Sequence, residues 1–190
     1  GEEMVSSAAR DFDDAVIAIA ALNQRWCDFW RSSHGWAPDD AADLLAGSRL
    51  DWQVQLANCL QLWRALPDNS DGRLILAWTN LGSLVESSLR VFLAVFLEDY
   101  DRHPAERKNG GAIAVEDAEF KNLRDYYRAH DVWGVDGAAW DTWVLHIQQR
   151  RNSIHSFRDR QLGSLAEFHA DVSRYLLLLR TLDERLPYAA

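Results

Sequence analysis

Cysteine is scarce in this sequence, and its placement supports neither a metal site nor a disulfide framework. The 190 residues include two cysteines, Cys27 and Cys59, which fall in different predicted helices. No Cys-x-x-Cys pair and no Cys/His ligand spacing occurs, so neither a zinc site nor a disulfide scaffold is indicated. We therefore expect a protein of a reducing compartment, the cytoplasm, that works without a metal or other cofactor.

The sequence also has no long uncharged apolar run and has fewer basic than acidic residues. No stretch of about 18 apolar residues is free of charge, so we expect no membrane-spanning helix. The acidic beginning GEEMVSSAARDFDD has no apolar signal core. Lys and Arg together number 20 against 29 Asp and Glu, which gives a net charge of −9. Because non-specific nucleic-acid binders are usually basic, this balance argues against that role for the surface as a whole.

Proline is rare and runs of β-branched residues are few, which leaves helix as the favoured element. Apolar residues at helical spacing predict six helices in a single all-α domain of residues 1–190, a bundle with short connections. The predicted helices cover 6–33, 48–66, 73–102, 116–129, a fifth from near Trp140 onward, and 164–186. Residues 103–112 are predicted to form a flexible loop. Ser164 and Glu167 predict a capping box at the start of the sixth helix.

The stretch QRRNSIHSFRDRQ, residues 149–161, places four arginines and a histidine in this acidic chain. If the fifth helix continues through it, about 100° of rotation per residue puts an apolar stripe on one face. That stripe comprises Trp140, Trp143, Val144, Ile147 and Ile154. Arg151 then lies within about 40° of Ile147, and His155 about 40° further round. We expect Arg151 and His155 to share one side of the helix, with Arg150 near the opposite margin of the stripe.

Two interpretations of this cluster remain open on the residues alone. In the first, Arg150, Arg158 and Arg160 are solvated, and Arg151 either extends its charged end to the solvent or pairs with a buried acid. In the second, the cluster is a phosphate site. Arginine offers a planar fork of donors to phosphate oxygens, and histidine transfers protons near neutral pH.

The segment RRNSIHSF, residues 150–157, resembles the Arg-x4–6-His motif of HEPN domains, and NLGSLVESSLRVFLAVFLEDY, residues 80–100, is similar to the long apolar helix of that family. The resemblance covers residues 71–186, with the first two helices as an N-terminal elaboration. It implies an all-α bundle with the motif near the start of a late helix. It also implies a metal-independent endoribonuclease that works as a dimer, with two motifs facing one cleft. Many members of the family are toxins of toxin–antitoxin or anti-phage systems.

Carried onto this sequence, the resemblance assigns the motif arginine to Arg150 and the motif histidine to His155. Asn152 resembles the polar residue that often follows the motif arginine, but here it follows Arg151, so the assignment stays open between the two arginines. The family often supplies a further polar residue from an earlier helix, and Glu86 is the candidate. Glu86 is equally well explained as a pairing partner of Arg151 or Arg90. Ser153 and Arg158, with Asn152, are candidate substrate-binding residues.

The expected reaction is attack of an RNA 2′-hydroxyl on the adjacent phosphorus, giving a 2′,3′-cyclic phosphate. His155 would act as base or acid, and Arg150 and Arg151 would stabilise the growing charge. The expected partners are RNA, a second copy of the chain, and an antitoxin or defence-system protein; no membrane is expected. Two alternatives remain: an inactive HEPN-like nucleotide- or protein-binding module, and a plain helical scaffold in which Arg151 and Glu86 form a structural pair.

Overall fold

Eight α-helices form a bundle in the part of the chain that the structure describes. The computed structural model covers the backbone of residues 2–188 and the side chains from Ser7 onward. The helices are α1 (Glu2–Trp30), α2 (Asp39–Gly47), α3 (Leu50–Cys59), α4 (Asp71–Val95), α5 (Leu97–Arg102), α6 (Phe120–Ala129), α7 (Gly137–Arg151) and α8 (Leu165–Asp183). Short 3-10 segments occupy Leu60–Trp63, Val115–Asp117 and Asn152–Ile154. The all-α bundle is confirmed, while the predicted number of about six helices is wrong.

Two features account for the additional helices. Residues 39–47 form α2, which is too short for its apolar period to stand out; Asp39 and Asp40 in its first turn favour the helix through its dipole. The long third helix of the prediction divides at Phe96, whose φ of −100° and ψ of 41° leave the helical region. The apolar pattern continues across this break, so periodicity alone does not reveal it.

The α4 helix is the centre of the bundle and buries 15 of its 25 residues. It contacts α2, α3, α6, α7 and α8, while α1 packs on α3 and α8. Three tryptophans, Trp26, Trp30 and Trp78, are among the largest fully buried side chains. One continuous cluster of buried side chains extends from α1 to α8, so the N-terminal helices share their core with the rest of the chain. Within residues 2–188, no helix combines the length and apolar character that crossing a bilayer requires.

A buried polar network fixes how four of these helices meet. The hydroxyls of Ser88 on α4 and Tyr175 on α8 lie 2.7 Å apart. The amide nitrogen of Gln53 on α3 donates to Asn23 Oδ1 on α1 at 2.8 Å. Burial raises the pKa of the Tyr175 hydroxyl to about 12, so it remains a protonated donor at neutral pH. Because a buried polar group without a partner costs free energy, this network favours one alignment of α1, α3, α4 and α8.

Residues 103–112, predicted to be a flexible loop, turn back on themselves through backbone hydrogen bonds. Arg107 N donates to Gly111 O and Ile113 N donates to Ala105 O, each at 2.7 Å. The Tyr100 hydroxyl donates to Ile113 O at 2.6 Å, which ties the base of the loop to α5. The path of the loop is thus defined by hydrogen bonds, and its flexibility stays a prediction.

The closest approach of α4 and α7 occurs at Gly82. A Cβ added at Gly82 would lie 2.5 Å from Cβ and 2.6 Å from Cγ of Arg151, the last residue of α7. These distances are well inside van der Waals contact, so only glycine allows the Arg151 side chain to cross α4 here. Arg151 therefore does lie on the packed side of α7, as its helical position predicts.

Replacing Gly82 with alanine should force α7 away from α4. We expect Gly82→Ala to lower the free energy of unfolding by about 1–3 kcal/mol, the usual cost of overpacking. Gly72→Ala is the matched control, because the same helix leaves nothing within 4 Å of a Cβ at Gly72. That variant should be neutral or stabilising by up to about 1 kcal/mol. Urea denaturation measures both, and equal effects of the two variants would contradict the close approach.

Candidate functional site

The arginine- and histidine-rich stretch lies at the end of α7, not inside it. The helix ends at Arg151, Asn152–Ile154 form a 3-10 turn, and His155 begins an irregular loop that lasts to Ser164. Asn152 and Ser153 favour this ending because Asn and Ser have a lower helix propensity than the Gln and Arg residues that precede them. The expected continuous helix is therefore wrong, and so is the expected position of the motif near a helix start.

The end of α7 also changes which side chains share a face. Arg151 and His155 were expected on one side of a helix, but His155 lies on the loop and is exposed. Ile154, expected on the apolar stripe, is 43% exposed. Trp140, Val144 and Ile147 are buried as predicted. The helical periodicity of this segment thus holds as far as Arg151 and no further.

Arg151 and Arg90 share the carboxylate of Glu86. Arg151 Nη2 lies 3.0 Å from Glu86 Oε2, and Arg90 Nη2 donates to Glu86 Oε1 at 2.8 Å and to Ala118 O at 2.7 Å. The Glu86 side chain is only 13% exposed. Glu86 Oε2 accepts no hydrogen bond, because no N–H of Arg151 points directly at it. The attraction between this oxygen and Arg151 is therefore ionic. The predicted pairing of Glu86 with Arg151 or Arg90 is confirmed, and it involves both.

Arg150 lies beside Trp78 of α4 and closes the loop that follows α7. Its Nη1 donates to Gln161 O, its guanidinium carbon lies 5.5 Å from the centre of the Trp78 ring, and its Nη2 lies 3.9 Å from Glu167 Oε1. The indole nitrogen of Trp78 donates to Leu162 O at 2.7 Å. Residues 152–161 therefore form an excursion that leaves α7 beside Arg150 and returns to it.

The excursion carries the other predicted site residues. His155 and Arg158 are exposed, and among the side chains of residues 7–188 theirs make no hydrogen bond or ion pair. Asn152 is half-buried, and its carbonyl accepts from His155 N at 3.1 Å. Ser153 is buried and its hydroxyl has no hydrogen-bond partner. His155 and Arg158 are thus the residues of this set that face solvent, whereas Ser153 does not.

A cleft of about 430 Å³ adjoins the excursion and is lined by His146, Gln149, Arg150, Arg160 and Gln161. His146 Nε2 lies 2.7 Å from Asp171 Oδ2 on α8, and the Trp143 indole nitrogen donates to Asp171 Oδ1 at 2.9 Å. Asp171 therefore fixes the orientation of the imidazole. When the neutral ring donates Nε2–H to Asp171, its Nδ1 remains as a basic nitrogen. The cleft thus combines two guanidiniums with an oriented histidine.

Sequence reasoning missed His146 and Asp171. His146 precedes Arg150 by four residues in α7, and this spacing places two side chains on the same helix face. That signal was present, but six scattered histidines made it inconspicuous. Asp171 is on another helix, and only the packing of α8 against α4 brings it within reach of α7. No pattern in one sequence identifies such a pair.

Cationic and imidazole side chains lie around the end of α7, where Glu167 and Asp171 are the carboxylates in contact with them. Arg150, Arg158 and Arg160 supply three cationic groups, and His146 and His155 supply two imidazoles. Among the described residues, no group of three or more His, Cys, Asp and Glu side chains is arranged to hold a metal ion.

Comparison of the chain with models of protein families, with curated proteins and with solved structures gives no match.

Removing the charge of Glu86 should weaken the junction of α4 and α7. We expect Glu86→Gln to lower the free energy of unfolding by about 2 kcal/mol, because it leaves two guanidiniums without their shared carboxylate. Glu98→Gln is the control, since Glu98 is exposed and has no ion pair within residues 2–188. That variant should change stability by less than about 0.5 kcal/mol. A loss at Glu86 no larger than the loss at Glu98, measured by urea denaturation, would rule out a structural role for the carboxylate.

Proposed function

We propose that this protein is a metal-independent endoribonuclease of HEPN type, which cleaves RNA at the end of α7. The observation that carries the proposal is the grouping of Arg150, Arg160 and the oriented His146 in one cleft. The loop that carries His155 begins and ends beside that cleft. Guanidiniums bind phosphate oxygens in a bidentate manner, and two imidazoles provide a base and an acid near neutral pH. The spacing of Arg150 and His155 is the basis of the family resemblance.

In the proposed reaction, the RNA 2′-oxygen attacks the adjacent phosphorus and the bond to the 5′-oxygen of the next nucleotide breaks. One imidazole accepts the proton of the 2′-hydroxyl, and the other donates a proton to the departing 5′-oxygen. The products are a 2′,3′-cyclic phosphate and a 5′-hydroxyl. Arg150 and Arg160 stabilise the negative charge that develops on the phosphate oxygens. Arg151 and Glu86 hold α7 in position and do not touch the substrate.

Exposed apolar side chains on both sides of His155 in the sequence support a dimeric form of the enzyme. Phe157 is fully exposed and Ile154 is 43% exposed, and they flank His155 in sequence. A second copy of the chain that covers them would bring two loops to one cleft, as the family resemblance implies. We expect a dimer in sedimentation equilibrium, and we expect Phe157→Ser to shift it toward the monomer. Ile17→Ser, at an exposed site on α1, is the matched control and should leave the mass unchanged; a monomeric wild-type protein would contradict the dimer.

The biological setting we propose is a cytoplasmic toxin or anti-phage effector with an antitoxin or another defence protein as its partner. The net charge of −9 repels RNA from most of the surface. Contact with RNA is therefore proposed only for the region around the end of α7, where Arg150, Arg158 and Arg160 lie. A short or looped RNA segment fits this charge distribution better than a long strand that tracks over the whole surface.

A non-catalytic nucleotide-binding module is the second candidate, and the contacts of the arginines favour it. Arg150 is engaged by Gln161, Trp78 and Glu167, and Arg151 is engaged by Glu86. A guanidinium whose donors are already engaged offers fewer N–H groups to a phosphate, which still allows a nucleotide to bind but weakens the stabilisation of charge that develops in a transition state. This candidate predicts binding of RNA or nucleotides that Arg150→Gln weakens, with no change in RNA length.

Cleavage of an oligoribonucleotide in the presence of EDTA separates the two candidates. For the nuclease, we expect His155→Ala and His146→Ala each to lower the cleavage rate by about 100-fold or more, because each removes one proton transfer. The pH dependence of the rate should change from bell-shaped in the wild type to one-sided in each variant. A merely structural role of His146 would lower the amount of folded protein without changing the shape of that profile.

The control for both variants is His34→Ala, which removes an exposed histidine paired with Asp43 on the surface. Its cleavage rate should equal that of the wild type. Unchanged cleavage in His155→Ala would remove His155 from the mechanism. No cleavage by the wild-type protein, together with Arg150-dependent binding of the same RNA, would establish the binding module instead.

A further inference from the structure

A cavity on the other side of α4 has the character of a small-molecule site. It has a volume of about 330 Å³ and lies between α2, α3, α4 and the 3-10 turn Val115–Asp117. Most of its wall is apolar and includes Leu44, Leu50, Trp52, Leu56, Val91 and Val115. This volume lies at the lower end of the range for ligand sites, and an apolar wall with few polar groups is their usual composition.

The wall also contains Arg49 and Arg90. The two differ in how many of their N–H donors are already engaged in hydrogen bonds. Arg49 donates from Nε and Nη2 to both carboxylate oxygens of Asp51, at 2.9 Å and 2.7 Å, and its guanidinium carbon lies 4.0 Å from the centre of the Trp52 ring. Arg90 binds Glu86 and Ala118 through Nη2 alone, and no hydrogen bond within residues 2–188 uses its Nη1. Arg90 therefore retains donors for a ligand.

The charge around Arg90 is not balanced. Glu86 is the one carboxylate that both Arg90 and Arg151 contact, so this group of three side chains carries one positive charge in excess. Glu116 also lines the cavity, but it is exposed and in contact with water. An anionic group bound at Arg90 would offset the excess charge at low desolvation cost, because the guanidinium is weakly hydrated.

We propose that this cavity binds a small amphipathic carboxylate. Its apolar body lies among Leu44, Leu56 and Val91, and its carboxylate accepts hydrogen bonds from Arg90, with Arg49 nearby. The apolar wall supplies the larger part of the affinity, and the arginines select a negative head group over a neutral or positive one. This site is separate from the end of α7 and does not depend on RNA cleavage.

Three probes with one apolar body and different head groups test the proposal: octanoate, octan-1-ol and octylamine. In isothermal titration calorimetry with the full chain, octanoate should bind saturably and at least about tenfold more tightly than octan-1-ol. Octylamine should bind more weakly still. The proposal is overturned if octanoate shows no saturable binding, or if octan-1-ol or octylamine binds as tightly as octanoate.

Substitutions that fill the cavity test whether octanoate binds in it. Leu56→Trp and Ser87→Leu place larger side chains at two lining positions, and each should weaken octanoate binding at least about tenfold. Leu62→Trp is the matched control at an exposed leucine outside the cavity and should leave binding within about twofold. Circular dichroism shows whether Leu56→Trp and Ser87→Leu are folded. The proposed location is overturned if both folded variants still bind octanoate as the wild type does.

Arg90→Gln isolates the role of the guanidinium. It should weaken octanoate binding at least about tenfold and leave octan-1-ol binding within about twofold. Arg64→Gln, which removes an arginine paired with Asp13 on the surface, is the matched control and should change neither. An equal loss of octanoate and octan-1-ol in folded Arg90→Gln would overturn the assignment of the carboxylate to Arg90.

Discussion

The ionic contact of Glu86 with Arg90 and Arg151 is the interaction on which the rest of the candidate site depends. A largely buried carboxylate is stable only with charged partners close by, and here it has one from its own helix and one from α7. Arg151 reaches it across Gly82, where no side chain obstructs the crossing. Because Arg151 is the last residue of α7, this contact holds the C-terminal end of the helix against α4, just before the loop with His155.

Two adjacent arginines thereby take different roles. Arg151 faces α4 and serves the packing, whereas Arg150 faces the cleft, closes the loop through Gln161 and lies beside His146. The resemblance left the motif arginine open between these two residues. Arg150 lines the cleft and is the residue whose spacing to His155 fits the motif, and it is therefore the arginine that we propose for contact with a substrate. The same Glu86 also joins the end of α7 to Arg90 in the wall of the apolar cavity.

The sequence predicts the helical character of the chain well, because long helices with apolar faces produce a clear period. The buried Trp140, Val144 and Ile147, the capping box of Ser164 and Glu167, and the pairing of Glu86 follow from such patterns. Short helices and helix breaks do not follow from such patterns. The α2 helix is too short to show an apolar period, and the helix breaks at Phe96 although the apolar pattern of the sequence continues. The end of α7 was not predicted either, because the apolar pattern continues to Ile154, beyond the last residue of the helix. The His146–Asp171 pair likewise depends on tertiary packing.

The central claim is that the residues around the end of α7 direct an attack by the RNA's own 2′-oxygen. Cleavage of an oligoribonucleotide in EDTA and ¹⁸O-labelled water, followed by mass spectrometry of the earliest products, tests it most directly. We expect a 2′,3′-cyclic phosphate that contains no ¹⁸O. A first product with a linear phosphate that has incorporated ¹⁸O would show that water attacks the phosphorus, and would contradict attack by the 2′-oxygen.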